Sequence, residues 1–333
     1  MRKVLLTTTA LVALGGVSAA SAIEISGQYE FNYTNADDGT ATTGGTNTNS
    51  FSSDGNIDFK GSTTTDAGLT FGGMIRLQTN AQAAGIEDQG LYVSGDFGYI
   101  MMGQTDGVVD GMNNFMEGSD YVALGAGTTN SAVAGGVLLN GGTGLTDNEG
   151  TAKIGYRSPA ISGFQVGVSM EDAGTTSKAD TTSMMVTYDM GIMKIGYGSA
   201  DTPSATATGA DTSQTQYGVG GSMNGFTYAA AWGTDKVSNV SGTTGNSSKI
   251  DTSDFLIAYD MDNISVYYNL VNSEEKTGTN IGDKMDSNEV GIYYTIAPGV
   301  SALLSQTSSD YTDVDTTNSD TLDTTFAGLT VKF

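Results

Sequence analysis

The chain of 333 residues carries 37 Asp and Glu against 13 Lys and Arg, a formal charge of −24. That excess argues against nucleic acid or anionic lipid as a partner, because both would be repelled. It contains no Cys and no His, which excludes a disulfide framework and removes the usual general base and the commonest transition-metal ligand, so catalysis is not expected.

The chain opens with Arg2 and Lys3, an apolar stretch from Val4 to Val17, and the small residues Ala20-Ser21-Ala22. This order predicts a cleavable secretory signal peptide over 1–22, with an apolar part too short to span a bilayer as a helix. Cleavage after Ala22 removes two cations and takes the charge from −24 to −26. Beyond it no apolar run reaches the roughly 18 residues of a spanning helix, so any crossing has to be made by strands closed into a barrel.

Ile23, Ile25, Gly27, Tyr29, Phe31 and Tyr33 alternate with Glu24, Ser26, Gln28, Glu30 and Asn32, a period of two sustained long enough for a barrel strand. Hairpins follow in chain order. Asn56–Gln78 turns near Asp66-Ala67-Gly68, and Gln89–Gln104 turns at Gly95-Asp96-Phe97-Gly98. Lys153–Met170 turns at Pro159–Gly163, Thr182–Gly198 around Asp189-Met190-Gly191, and Gln216–Gly233 at Met223-Asn224-Gly225. Phe255–Leu270 turns at Asp260–Asn263 and Glu289–Gln306 at Ala297-Pro298-Gly299.

With lone strands at Ile23–Thr34 and Thr324–Phe333, the count predicts an all-β, antiparallel, up-and-down transmembrane barrel of sixteen strands. Residues 23–333 form this one domain. Its short turns and both ends lie on the periplasmic side. Polar stretches such as Asn35–Ser53 and Gly233–Ser248 read as surface loops.

Thr105–Glu149 breaks the rhythm, and a loop of that length inside a compact domain is usually functional. It carries Asp106, Asp110, Glu117, Asp120, Asp147 and Glu149 without a Lys or Arg. Strand alternation sends Lys60, Arg76, Lys153 and Arg157 to the lumen, since a cation facing lipid at mid-membrane costs about 2–4 kcal/mol. Asp313-Val314-Asp315 begins like an EF-hand but lacks its Gly and Glu. No cofactor is required by this reading, although calcium between acidic surface loops stays possible.

Four segments carry a resemblance. Ile23–Gly27, Gly95–Gln104, Ile154–Phe164 and Ala327–Phe333, in this order, resemble the general diffusion porins of Gram-negative bacteria, in particular their alphaproteobacterial, Rhodobacter-like branch. The resemblance implies an outer-membrane homotrimer in which the third loop, by position Thr105–Glu149, folds into each barrel and narrows it. It also implies a final Phe333 read by the barrel-assembly machinery and a transverse field between loop acids and wall cations. Gln104, where many relatives carry a basic residue, implies a weaker field.

The expected activity is passive passage of small hydrophilic solutes and ions, with weak cation preference from the ring of loop carboxylates. Two alternatives are a substrate-specific channel and a secreted acidic adhesin or surface-layer protein.

Overall fold

A computed structural model of the protein describes residues 23–38, 47–80, 83–109, 145, 151–172, 180–204, 210–239, 247–278, 281–314 and 319–333. The strands are β1 (Glu24–Asp38), β2 (Asn47–Thr64), β3 (Thr70–Asn80), β4 (Ala83–Gly95), β5 (Gly98–Gln104), β6 (Ala152–Arg157), β7 (Phe164–Asp172) and β8 (Thr182–Asp189). The second half comprises β9 (Met193–Thr202), β10 (Ala210–Met223), β11 (Phe226–Asn239), β12 (Ser248–Met261), β13 (Ile264–Thr277), β14 (Lys284–Ala297), β15 (Val300–Thr312) and β16 (Ser319–Lys332). Each pairs antiparallel with its chain neighbours, and β1 pairs with β16, closing the barrel. No backbone edge is left for lipid to face.

The sixteen strands and all seven turns fall where the hairpin pattern placed them. At Asn224 and Gly225 both φ angles are positive, 54° and 81°, the geometry of a type I′ turn that follows the strand twist. Strand length differs from expectation. β1 runs to Asp38 and β2 begins at Asn47, so much of Asn35–Ser53 is strand rather than loop, and β11 likewise reaches Asn239. Apart from Ala36, Phe51 and Val237 these ends are polar on both faces, so no apolar alternation marks them. A strand of 14 residues spans about 46 Å at ~3.3 Å per residue, more than a tilted crossing of the ~25 Å apolar band needs. The wall therefore stands above the membrane.

The outer face is apolar. Val166, Val168 and Met170 on β7 are 45%, 52% and 58% exposed, whereas Ser169 and Glu171 between and beyond them are buried, so period two separates a lipid face from an inner face. Aromatic rings gather in two outward tiers. Phe164 stacks on Tyr188 and Phe226 meets Tyr259 at a tilt beside the short turns, and Phe31–Phe51 and Tyr217–Trp232 stack further along the strands. Such paired belts mark the two membrane interfaces.

The barrel seam is closed by main chain. The Gly27 amide donates to the Phe333 carbonyl at 2.8 Å and the Phe333 amide donates to the Gly27 carbonyl at 2.9 Å. Deleting Phe333 removes both bonds, and the yield of folded barrel scored by heat-modifiable gel migration is expected to fall by about an order of magnitude. An unchanged yield would show that the seam closes without it.

Candidate functional site: the inner wall and the root of the long loop

The long loop leaves β5 against the inside of the barrel. Val108 and Val109 are 2% and 0% exposed and form one apolar cluster with Leu145, Met185 on β8 and Ala231 on β11. The Val108 amide donates to the Ser169 hydroxyl at 3.2 Å. Small residues make the seat: a Cβ on Gly167 would stand 3.1 Å from the Val108 Cβ. Gly155, Gly167, Ser169, Met185 and Ala231 all share the phase opposite to the lipid-facing side chains, so the loop root lies on the inner wall. Its acids Asp110, Glu117, Asp120, Asp147 and Glu149 lie outside the described residues.

Lys153, 5% exposed, donates from Nζ to the Thr105 carbonyl at 3.0 Å. It tethers the loop where it leaves the wall. Arg157, on the same face of β6, lines a cavity of about 490 Å³ together with Asp106, Asp88, Tyr92, Tyr99 and Met101. Of the loop acids and wall cations singled out in the sequence, Asp106 and Arg157 are thus brought to one cavity. Tyr92 and Tyr99 stack there with centroids 5.4 Å apart. Gly72 makes room for the first of them, since a Cβ would stand 2.2 Å from the Tyr92 ring.

Arg76 is in a different state. Its Nε donates to Asp58 Oδ1 at 2.8 Å, Nη1 to Asp88 Oδ2 at 3.3 Å, and Glu87 Oε2 stands 3.9 Å from Nε. Lys60 shares Asp58 at 3.5 Å. Asp58 and Asp88 are 8% and 3% exposed, so Arg76 answers acids already built into the wall. Asp58 was readable from its phase with Lys60. Glu87 and Asp88 were not, because a bulge between Arg76 and Leu77 in the β3–β4 register lets two successive acids approach one guanidinium.

Gln104 alternates with the inward Gly103 and shares the phase of the exposed Met102, and its side chain accepts from the outward Gln89. It therefore faces away from the lumen, and its neutrality has no bearing on an internal field. Around the remaining wall, Glu171, Asp254, Glu275 and Glu289 face inward and are at most 4% exposed. Glu289 accepts from the Tyr267 hydroxyl at 2.6 Å. Among the described residues, no group of three or more acids is arranged to hold a metal ion.

A closed antiparallel barrel with an apolar outside, a charged inside and the root of a long loop seated on its inner wall defines a transmembrane channel of the outer-membrane type. The sequence profile of Gram-negative porins matches residues 7–317, and the chain belongs to that family. It is a channel of the Gram-negative outer membrane and not an enzyme, as the missing catalytic groups led us to expect. The adhesin alternative falls with this assignment.

Solved structures share the fold. OmpT of Vibrio cholerae, folded in vitro, is 15% identical with a TM-score of 0.69, over 98% of this chain and 100% of that one. An anion-selective porin from Comamonas acidovorans is 12% identical with a TM-score of 0.73, over 94% and 100%. A mutant of the Rh. blastica porin is 14% identical with a TM-score of 0.58, over 93% and 100%. No curated protein matches the chain by sequence.

Proposed function

We propose that the protein passes small hydrophilic solutes and ions by diffusion, with a mild preference for cations. The observation that carries this reading is the charge state of the inner wall. Arg76 is held by Asp58 and Asp88, and Lys153 is buried on a main-chain carbonyl with Glu171 as its cross-strand partner, while Asp254, Glu275 and Glu289 stand on β12–β14 across the barrel. With Asp58 and Asp88 counted, the acids of the inner wall outnumber its cations, and the net negative potential of the lumen favours cations by Coulomb attraction. The acids of the loop, with Asp106 beside Arg157, add to the same sign.

The loop root on the wall supports a constriction made by Thr105–Glu149. A trimer is supported by an outward apolar hollow of about 740 Å³ on β2–β5, lined by Phe59, Gly61, Gly73, Ile75, Leu91 and Met102, where glycines would let a neighbouring barrel approach closely. One solved OmpT structure of Vibrio cholerae is described as a trimer form. Placement in the alphaproteobacterial branch rests on the four sequence landmarks. Phe333 is proposed as the signal to the assembly machinery.

Swelling of liposomes containing the purified protein tests passage by size. Rates for uncharged sugars are expected to fall smoothly with molecular size. Saturable, sugar-specific uptake would instead favour the substrate-specific channel.

A further inference from the structure

We propose that the cavity between the loop root and the inner wall of β3–β6 binds a free α-amino acid with an apolar side chain. Arg157 is the residue that calls for a ligand. Its Nε is buried without a hydrogen-bond partner, and the side chain forms no ion pair among the described residues. A donor on a charged group that is shut off from water and left unmet is costly, so an acceptor brought from outside binds there with advantage.

The wall answers Arg76 with Asp58 at 2.8 Å and Asp88 at 3.3 Å. Arg157 has Tyr99 and Gly167 as its cross-strand partners instead, neither of them an acid. Asp106 lines the same cavity of about 490 Å³ and likewise forms no ion pair among the described residues. Asp88 lines it as well, but that carboxylate is engaged by Arg76. One guanidinium and one carboxylate therefore face the cavity without closing on each other.

That pair of charges selects against simple ions. An anion drawn to Arg157 is repelled by Asp106 and Asp88, and a cation drawn to Asp106 meets the guanidinium. A zwitterion satisfies both ends. The planar fork of an arginine matches a carboxylate through two parallel hydrogen bonds, with Nε supplying one of them, and an ammonium group next to that carboxylate turns to Asp106. An α-amino acid carries those two charged groups on one carbon.

The remaining walls select the side chain. Tyr92 and Tyr99 stack with centroids 5.4 Å apart, and Met74 and Met101 line the cavity with them. All four face inward, since Ile75, Leu91 and Met102 on the alternate phase are exposed on the outer face. Rings and thioethers form an apolar, adaptable surface, and an aliphatic side chain laid on it takes apolar area out of water on both sides. The volume suits a molecule of that size.

The inference rests on the channel reading for access alone, because the ligand enters from the lumen, so binding is measured apart from conduction. The full protein in neutral-detergent micelles is dialysed to equilibrium against labelled L-leucine at neutral pH. Saturable binding is expected, about tenfold weaker in Arg157→Gln and in Asp106→Asn, whose folding is checked by heat-modifiable migration. On the unaltered protein, 3-methylbutylamine lacks the carboxylate and 4-methylpentanoate lacks the ammonium group, and each should compete about tenfold less well than unlabelled leucine. Equal competition by either analogue, or undiminished binding in folded Arg157→Gln, would overturn the proposal. Absence of saturable binding by protein that conducts in a planar bilayer would also overturn it and leave the channel reading standing.

Discussion

Arg76→Gln is expected to lower the stability of the folded barrel and to raise its cation preference in the same variant. The guanidinium touches Asp58 at 2.8 Å and Asp88 at 3.3 Å, and those acids are 8% and 3% exposed. Removing it strands two carboxylates that water reaches poorly. Breaking a fully buried pair costs about 3–5 kcal/mol, and the 28% exposure of the Arg76 side chain reduces this to about 2 kcal/mol. In heat-modifiable gels the unfolding temperature should drop. Asp58→Asn placed on top of Arg76→Gln should recover part of the loss, because it removes one stranded charge. In the lumen the same change uncovers negative charge, so the reversal potential under a salt gradient should shift further toward the cation limit. Loss of stability with no shift in selectivity would confine the network to a structural role.

Gly167→Leu is expected to change the conductance without opening the barrel. The Val108 Cβ lies 3.1 Å and the Met185 Cγ 3.0 Å from where a Cβ would stand on Gly167, so a leucine cannot share that seat with the loop. Overpacking of this kind costs about 1–3 kcal/mol, and here the loop root can yield where the strands cannot. Displacement breaks the Val108 amide bond to Ser169 and moves the loop relative to the lumen. Single-channel conductance should therefore differ from wild type by about twofold or more, with strand content by circular dichroism unchanged. Wild-type conductance in the folded variant would mean that the loop root does not set the aperture.

The turns and the strand count were legible because each hairpin is punctuated by residues that favour sharp turns, such as Asn224-Gly225, between runs of strict alternation. The upper strand ends were not, since Asn47–Ser50, beyond the interfacial Phe51, is polar on both faces. The inward phase of Lys60, Arg76, Lys153 and Arg157 followed from alternation alone. What each of them touches did not follow. Arg76 meets Glu87 and Asp88 through a bulge that a period of two cannot anticipate, and Lys153 meets a main-chain carbonyl, which leaves no trace in side-chain pattern. The phase of Gln104 was readable from Met102 and Gly103, and places it outside the lumen.

The central claim is an open, mildly cation-preferring pore. It is tested most directly by reconstituting the protein into a planar bilayer and measuring single-channel current with unequal KCl on the two sides. Stepwise ohmic conductance with a reversal potential on the cation side is the predicted result. Absence of conductance from folded protein, or a reversal potential on the anion side, would contradict the account.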